Sequence, residues 1–101
     1  MLGDLYTETK GELQGLRKSV AANDIGNVRA LAHTIKGASA NMMCYPLRDR
    51  AAVLEKHAAA AMKGDIEAKE LVKLLSEGLD KLEDIFQEYE SFLDAKGLLP
   101  S

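Results

Sequence analysis

Three residues in the stretch Ala30-Leu31-Ala32-His33-Thr34-Ile35-Lys36-Gly37-Ala38 are of types that perform chemistry together or make room for it. Neutral imidazole is a nucleophile near neutral pH, its unperturbed pKa being about 6.5. A phosphoryl group on a ring nitrogen carries negative charge. An ammonium one helical turn away, Lys36, would hold that charge as a point cation. Glycine in a helix interior costs roughly 1 kcal/mol relative to alanine, so Gly37 beside a histidine needs a reason. One histidine, a near cation and cleared ground predict a covalent carrier of a phosphoryl group. The chain has no GxGxxG and no GxxxxGK[ST] to cradle a nucleotide, so a partner must bring the donor.

The helix that carries these residues sets their directions. At about 100° per residue, Ile25, Val28, Leu31, Ala32, Ile35, Ser39 and Met42 share one face, which should look into a core. His33 lies roughly 150° from the centre of that stripe and should point to solvent. Gly26, Arg29, Ala30, Gly37, Ala40 and Cys44 share its outer face. Most are small, and Ala30 and Gly37 replace the side chains that normally crowd a helical histidine. The ring should stand on a shallow, approachable surface.

The run Ala32-His33-Thr34-Ile35-Lys36-Gly37, followed by Ala38-Ser39-Ala40-Asn41-Met42, resembles the signature of histidine-containing phosphotransfer (HPt) domains. That family's pattern reads A-H-x-[LI]-K-G-[small]-[SA]-x-N-[apolar]-G-A. Asp24, Leu47, Leu54-Glu55 and Ala58 also look like the family, and the likeness spans nearly the whole chain. The usual Gly-Ala is Met43-Cys44 here, followed by Tyr45-Pro46, a departure that bears on the surface at the end of this helix.

The resemblance implies a phosphorelay intermediate of two-component signalling. A receiver domain carrying aspartyl phosphate would dock over the second helix. His33 would attack in line through Nε2, then pass the group to an aspartate of another receiver. Lys36 would offset charge, while Gly37 and Ala30 leave room for the receiver's loops. The docking surface expected is Arg29, Ala30, Ala40, Asn41, Cys44 and Tyr45, apolar at its centre with polar edges. No cofactor is expected on this chain, and Mg2+ would belong to the partner receiver. The partners implied are response-regulator receiver domains and a hybrid sensor histidine kinase. The chain would have no kinase or hydrolase activity of its own. Two other readings remain open: a non-covalent helical interaction module (an HPt-like pseudo-transmitter), and the phosphoacceptor domain of a chemotaxis-type histidine kinase. The second shares the site and differs in its donor.

Composition bounds the rest. At 101 residues the chain reads as one domain, 1–101, with 47% apolar and 29% charged residues, an ordinary globular balance. Thirteen basic residues against 16 acidic ones are dispersed along it, so nucleic acid is not an expected partner. No apolar run approaches the roughly 20 residues of a membrane span. The N-terminus lacks the basic start and apolar stretch of a signal peptide. The one cysteine, Cys44, has no internal disulfide partner, which fits a reducing compartment. A cytoplasmic monomer is expected.

Aromatic residues are few and tryptophan is absent, which favours helices. The spacing predicts four, over about 2–22, 24–44, 46–62 and 66–95. The first buries Leu2, Leu5, Tyr6, Leu13, Leu16 and Val20. The third buries Leu47, Ala51, Leu54, Ala58 and Ala61, whose alanines allow close approach. The fourth runs Ile66, Leu71, Leu75, Leu79, Leu82, Phe86, Tyr89 and Leu93 along its seam, with a bend expected at Gly78. Asn23-Asp24 and Lys63-Gly64-Asp65 read as stop-and-cap signals. Pro46 belongs in a first turn. Short links make neighbours antiparallel, so the fold expected is an all-α, up-down-up-down four-helix bundle with a long C-terminal helix. That helix either projects past the bundle or folds onto the first.

The remaining reactive types read as structural. His57 sits at the edge of an apolar stripe. Ser39 faces inward without a base, and Met42 and Met43 read as core filler rather than docking residues. Met43 lies at the edge of its stripe. No HExxH or cysteine pair accompanies the histidines, so no metal site is expected.

Overall fold

Four helix ends are built to one pattern, and that pattern fixes the register of everything between them. The structure is a computed structural model that describes residues 2–99. Among these residues it contains α1 (Leu2–Ala21), α2 (Ile25–Asn41), α3 (Tyr45–Met62) and α4 (Ala68–Ala95), and no strand. The side chain of Leu2, Met1 and the terminal Pro100-Ser101 lie outside the described residues.

Each helix closes with paired backbone bonds that reach back over its last turn. Asn23 N–H donates to the Val20 carbonyl and Asp24 N–H to that of Ser19; Met43 and Cys44 do the same to Ala40 and Ser39. Gly64 and Asp65 bond to Ala61 and Ala60, and Gly97 and Leu98 to Asp94 and Leu93. This is the Schellman arrangement, which requires a left-handed residue just past the helix. Those residues are Asn23 (φ 57°), Met43 (φ 58°), Gly64 (φ 78°) and Gly97 (φ 69°).

The Met43 turn ends α2 at Asn41 rather than at Cys44. Cys44 leaves the phase of α2, precedes α3, and is buried in the core at 8% exposure. The expectation that it shares the outer face with His33 is therefore corrected. Similarly, α4 begins at Ala68 rather than Ile66, because Glu67 is still extended (φ −67°, ψ 148°). Ile66 packs against the core ahead of the helix, with Leu71 buried one turn inside it, the spacing of a hydrophobic staple. At the start of α2, the Asp24 carboxylate accepts from the Asn27 amide at 3.3 Å. Asn27 also donates to Ser19 Oγ at 2.6 Å, tying α2 back to α1.

One stripe of each helix supplies the core. Tyr6, Leu13 and Leu16 come from α1, and Val28, Ala32 and Ile35 from α2. Leu47, Ala51, Leu54 and Ala58 come from α3, and Leu71, Leu75, Leu79, Leu82, Phe86 and Leu93 from α4. Thr9 joins them unforeseen: it is fully buried, and its hydroxyl has no partner among the described residues. Neighbours in sequence are neighbours in space, and α1 meets α4 to close an all-α four-helix bundle. No helix of the described chain is long and apolar enough to cross a membrane.

The bundle measures 44 × 20 × 18 Å, its long axis matching the about 42 Å of a 28-residue helix. The C-terminal part of α4 folds onto α1. The Tyr6 and Phe86 rings stack at 5.5 Å, and the Tyr6 hydroxyl donates to Glu90. The Tyr89 hydroxyl reaches the Met42 carbonyl at 3.4 Å. α4 continues unbroken through Gly78, where no bend is needed to explain the glycine. A β-carbon there would lie 3.0 Å from Leu54 Cδ1, so the missing side chain lets α4 press on α3.

Candidate functional site

The buried face of α2 dictates what its opposite face presents. With Ala32 and Ile35 fully buried, His33 is turned outward, its side chain 67% exposed. Ala30 and Gly37 flank it one turn away on the exposed surface. A methyl group on Gly37 would meet nothing within 4 Å, so the ground beside the ring is open. Thr34 spends its hydroxyl on the Ala30 carbonyl at 3.0 Å.

The ring is held from α3. His33 Nδ1 lies 2.8 Å from Glu55 Oε2, and Lys36 Nζ donates to Glu55 Oε1 at 2.7 Å. One carboxylate thus binds both residues of the α2 motif. Glu55 follows the fully buried Leu54 on α3, and its own side chain is only 19% exposed. The Lys36 ammonium holds the Glu55 carboxyl below its ordinary range; burial opposes this and the bond to His33 adds to it.

An ionised carboxylate only accepts hydrogen bonds, so a neutral His33 bonded to it carries its proton on Nδ1. The lone pair is then on Nε2, the nitrogen free of Glu55. This arrangement can present a nucleophilic nitrogen to a reagent approaching the outer face, and can hold the ring when that nitrogen becomes substituted.

Around this centre the other expected residues are dispersed. Arg29 and Asn41 are exposed, Ala40 is half-buried, and Tyr45 is 48% exposed with the Arg48 guanidinium 4.6 Å from its ring centre. Cys44 is excluded by burial, and that burial raises its thiol pKa. Met43 does not fill the core as expected: its left-handed turn carries it past the end of α2, and it stands out at 76% exposure beside Tyr45. Two open grooves flank Glu55. One, of about 500 Å³, is lined by Arg29, Ala30, His33, Glu55 and Met62. The other, of about 390 Å³, is lined by Arg29, Lys36, Val53, Glu55 and Lys56.

The remaining reactive types stand apart. Ser39 is buried and its hydroxyl bonds the Ile35 carbonyl at 2.6 Å. His57 lines a separate cleft with Arg50, Leu74, Glu77 and Lys81, away from His33. Among the described residues no three His, Cys, Asp or Glu side chains are grouped as metal ligands would be.

Sequence reasoning had Glu55 only as part of the resemblance and gave it no role. A usable signal existed: Glu55 is an acidic residue one step off the buried Ala51-Leu54-Ala58 stripe, at the border of a helix–helix contact.

A family model described as the Hpt domain matches residues 1–92. The chain belongs to the Hpt domain family. It is accordingly a histidine phosphotransfer module of two-component signalling, from a family of phosphocarriers that work with response-regulator receiver domains. Comparisons with curated proteins and with solved structures gave no match.

Proposed function

We propose that His33 is the phosphoacceptor and that this chain relays a phosphoryl group between aspartates of two receiver domains. The observation that carries the reading is the Glu55 carboxylate, shared by His33 Nδ1 and Lys36 Nζ at 2.8 and 2.7 Å. It favours the tautomer whose Nε2 lone pair is free of Glu55, at an exposed ring with open ground beside Gly37.

In the forward step the Nε2 lone pair attacks the phosphorus of an aspartyl phosphate. The Nε2–P bond forms as the P–O bond to the receiver breaks, and that aspartate leaves with the bonding pair. The ring, still protonated at Nδ1, becomes a phosphoimidazolium whose positive charge faces Glu55. Transfer to a second aspartate reverses each change. Lys36 adds positive potential on the same side, and Gly37 and Ala30 give the receiver's loops access. Magnesium belongs to the receiver, where it offsets charge on the transferring group. The docking surface is the outer face of α2 with Ala30, Ala40, Asn41 and Tyr45, and Met43 takes the place expected of Cys44.

The test is transfer from a panel of labelled receiver domains to the native chain and to His33→Gln. The expected result is label on the native chain alone, labile in acid and stable in alkali. Clear binding without label from any receiver would favour the non-covalent module, and label on His33→Gln would move the site elsewhere.

A further inference from the structure

The charges around the two grooves leave two cations unassigned, and one of them shares a groove with His33. Among the basic residues near the site, Lys36 is committed to Glu55 at 2.7 Å. Arg48 is committed to Asp49 at 2.9 Å and to the Tyr45 ring. Arg29 makes no hydrogen bond, ion pair or ring contact among the described residues. It nevertheless lines both grooves, including the one that His33 itself lines. Lys56, also without a partner there, lines only the groove that His33 does not.

Helix geometry brings Arg29 and the His33 ring together. Arg29 precedes His33 by four residues and shares its face of α2. Helical side chains lean toward the N-terminus, so the His33 ring covers the turn from which Arg29 rises. Nε2 is the nitrogen turned away from Glu55. His33 and Arg29 line one groove together with Ala30, Glu55 and Met62, so a group attached at Nε2 shares that groove with the Arg29 side chain.

We propose that Arg29 is a phosphoryl-binding residue: its guanidinium holds the phosphoryl oxygens on His33 between receipt and delivery. This rests on His33 as the acceptor. A phosphoryl group brings up to about two negative charges near neutral pH. Lys36 is paired with Glu55, which reduces the positive potential it adds at these oxygens. Guanidinium matches phosphate oxygens two at a time, in a geometry that an ammonium does not reproduce. Hydrolysis of the carrier breaks the Nε2–P bond, the pair returning to Nε2 as water's oxygen bonds to phosphorus. Electron density from the phosphoryl oxygens drives that expulsion. A guanidinium that binds those oxygens withholds density and lengthens the lifetime of the charged carrier.

The experiment isolates the carrier from any docking effect. The native chain, Arg29→Ala, Arg29→Lys and Arg48→Ala are labelled with phosphoramidate, whose P–N bond breaks with release of ammonia, or with a phosphorylated receiver that is then removed. The half-life of the label and the 31P titration of the phosphoryl group are read on the isolated chain. Arg29→Ala should shorten the half-life by about two- to fivefold, the size of one exposed charge contact. It should also raise the pH at which the phosphoryl group takes its second charge. Arg29→Lys should fall between, and Arg48→Ala should match the native chain. Native half-life and titration in Arg29→Ala would overturn the proposal while the labelled chain leaves the carrier reading intact. A native chain that takes label from neither donor would overturn both.

Discussion

Replacing Met43 with glycine should make this domain more stable, although it removes a side chain and adds flexibility. Three of the four helices close on Asn23, Gly64 or Gly97, residue types suited to a left-handed backbone; α2 closes on Met43 at φ 58°. A side chain with a β-carbon pays about 1–2 kcal/mol for that conformation. Glycine removes the cost but returns about 0.5–1 kcal/mol through the added freedom of the unfolded chain. Little burial is lost, since Met43 is 76% exposed. The net gain is about 0.5–1 kcal/mol. Unfolding entropy of about 2.1 cal/mol/K per residue converts this to a Tm rise of roughly 2–5 °C for a domain of this length. Thermal melts followed by helical circular dichroism would measure it. Gly64→Ala is the mirror experiment: at φ 78° with nothing within 4 Å, it isolates the backbone cost and should destabilise by about 1 kcal/mol. An unchanged or lower Tm for Met43→Gly, beside the expected loss in Gly64→Ala, would refute strain at Met43. The same variant should weaken receiver binding if the exposed methionine is a docking contact.

Other variants separate the site from the scaffold. Glu55→Gln removes a charge-assisted bond to the ring and should slow transfer from a receiver by about tenfold. It should cost less than about 1 kcal/mol in stability. Because the folded state depresses the Glu55 carboxyl pKa, its contribution is present above the unfolded value of about 4.3 and is lost as pH falls through the folded one. Denaturant midpoints of the native chain should therefore drop more than those of Glu55→Gln in that acid range. Glu12 is the opposite case: burial, aided by Glu8, raises its carboxyl pKa, and its Oε1 has no partner among the described residues. Its ionisation opposes folding, so Glu12→Gln should raise the urea midpoint near neutral pH, with the difference vanishing once acid protonates Glu12. Gly37→Ala should stabilise the helix by about 0.5–1 kcal/mol, its methyl meeting nothing within 4 Å, yet slow transfer if receivers dock over this face as proposed. Faster or unchanged transfer in that variant would remove the clearance argument.

The parts of the fold that follow from helical period were legible in the sequence. The seam of α4 from Leu71 to Leu93, the alanines of α3 and the outward turn of His33 each depend on one helix at a time. What escaped depends on relations between elements. The role of Glu55 emerges only when the packing of α2 on α3 fixes how the two helices are rotated, which no period within α3 contains. Cys44 was misplaced because a left-handed methionine ended α2 three residues early, where composition gave no glycine to mark the stop. Gly78 reads as a bend in isolation and as a close contact once Leu54 lies across from it.

The bundle is joined differently on its two sides. α2 and α3 make the most extensive helix pairing, whereas α1 and α4 make the least extensive of the four adjacent pairings and are spanned by long side chains. Those spans are Tyr6 on Phe86 and Glu90, Lys10 on Glu90, and Arg17 on Glu83. The charged bridges among them are partly solvated, and local opening starts where few apolar contacts resist it. Amide exchange should therefore be faster along the outer turns of α1 and the end of α4 than along the facing turns of α2 and α3. On that expectation the seam opens while His33, Glu55 and Lys36 stay in register. A phosphoryl group on His33 would sit on the half of the molecule that opens last, its lifetime insulated from the fluctuations of the rest.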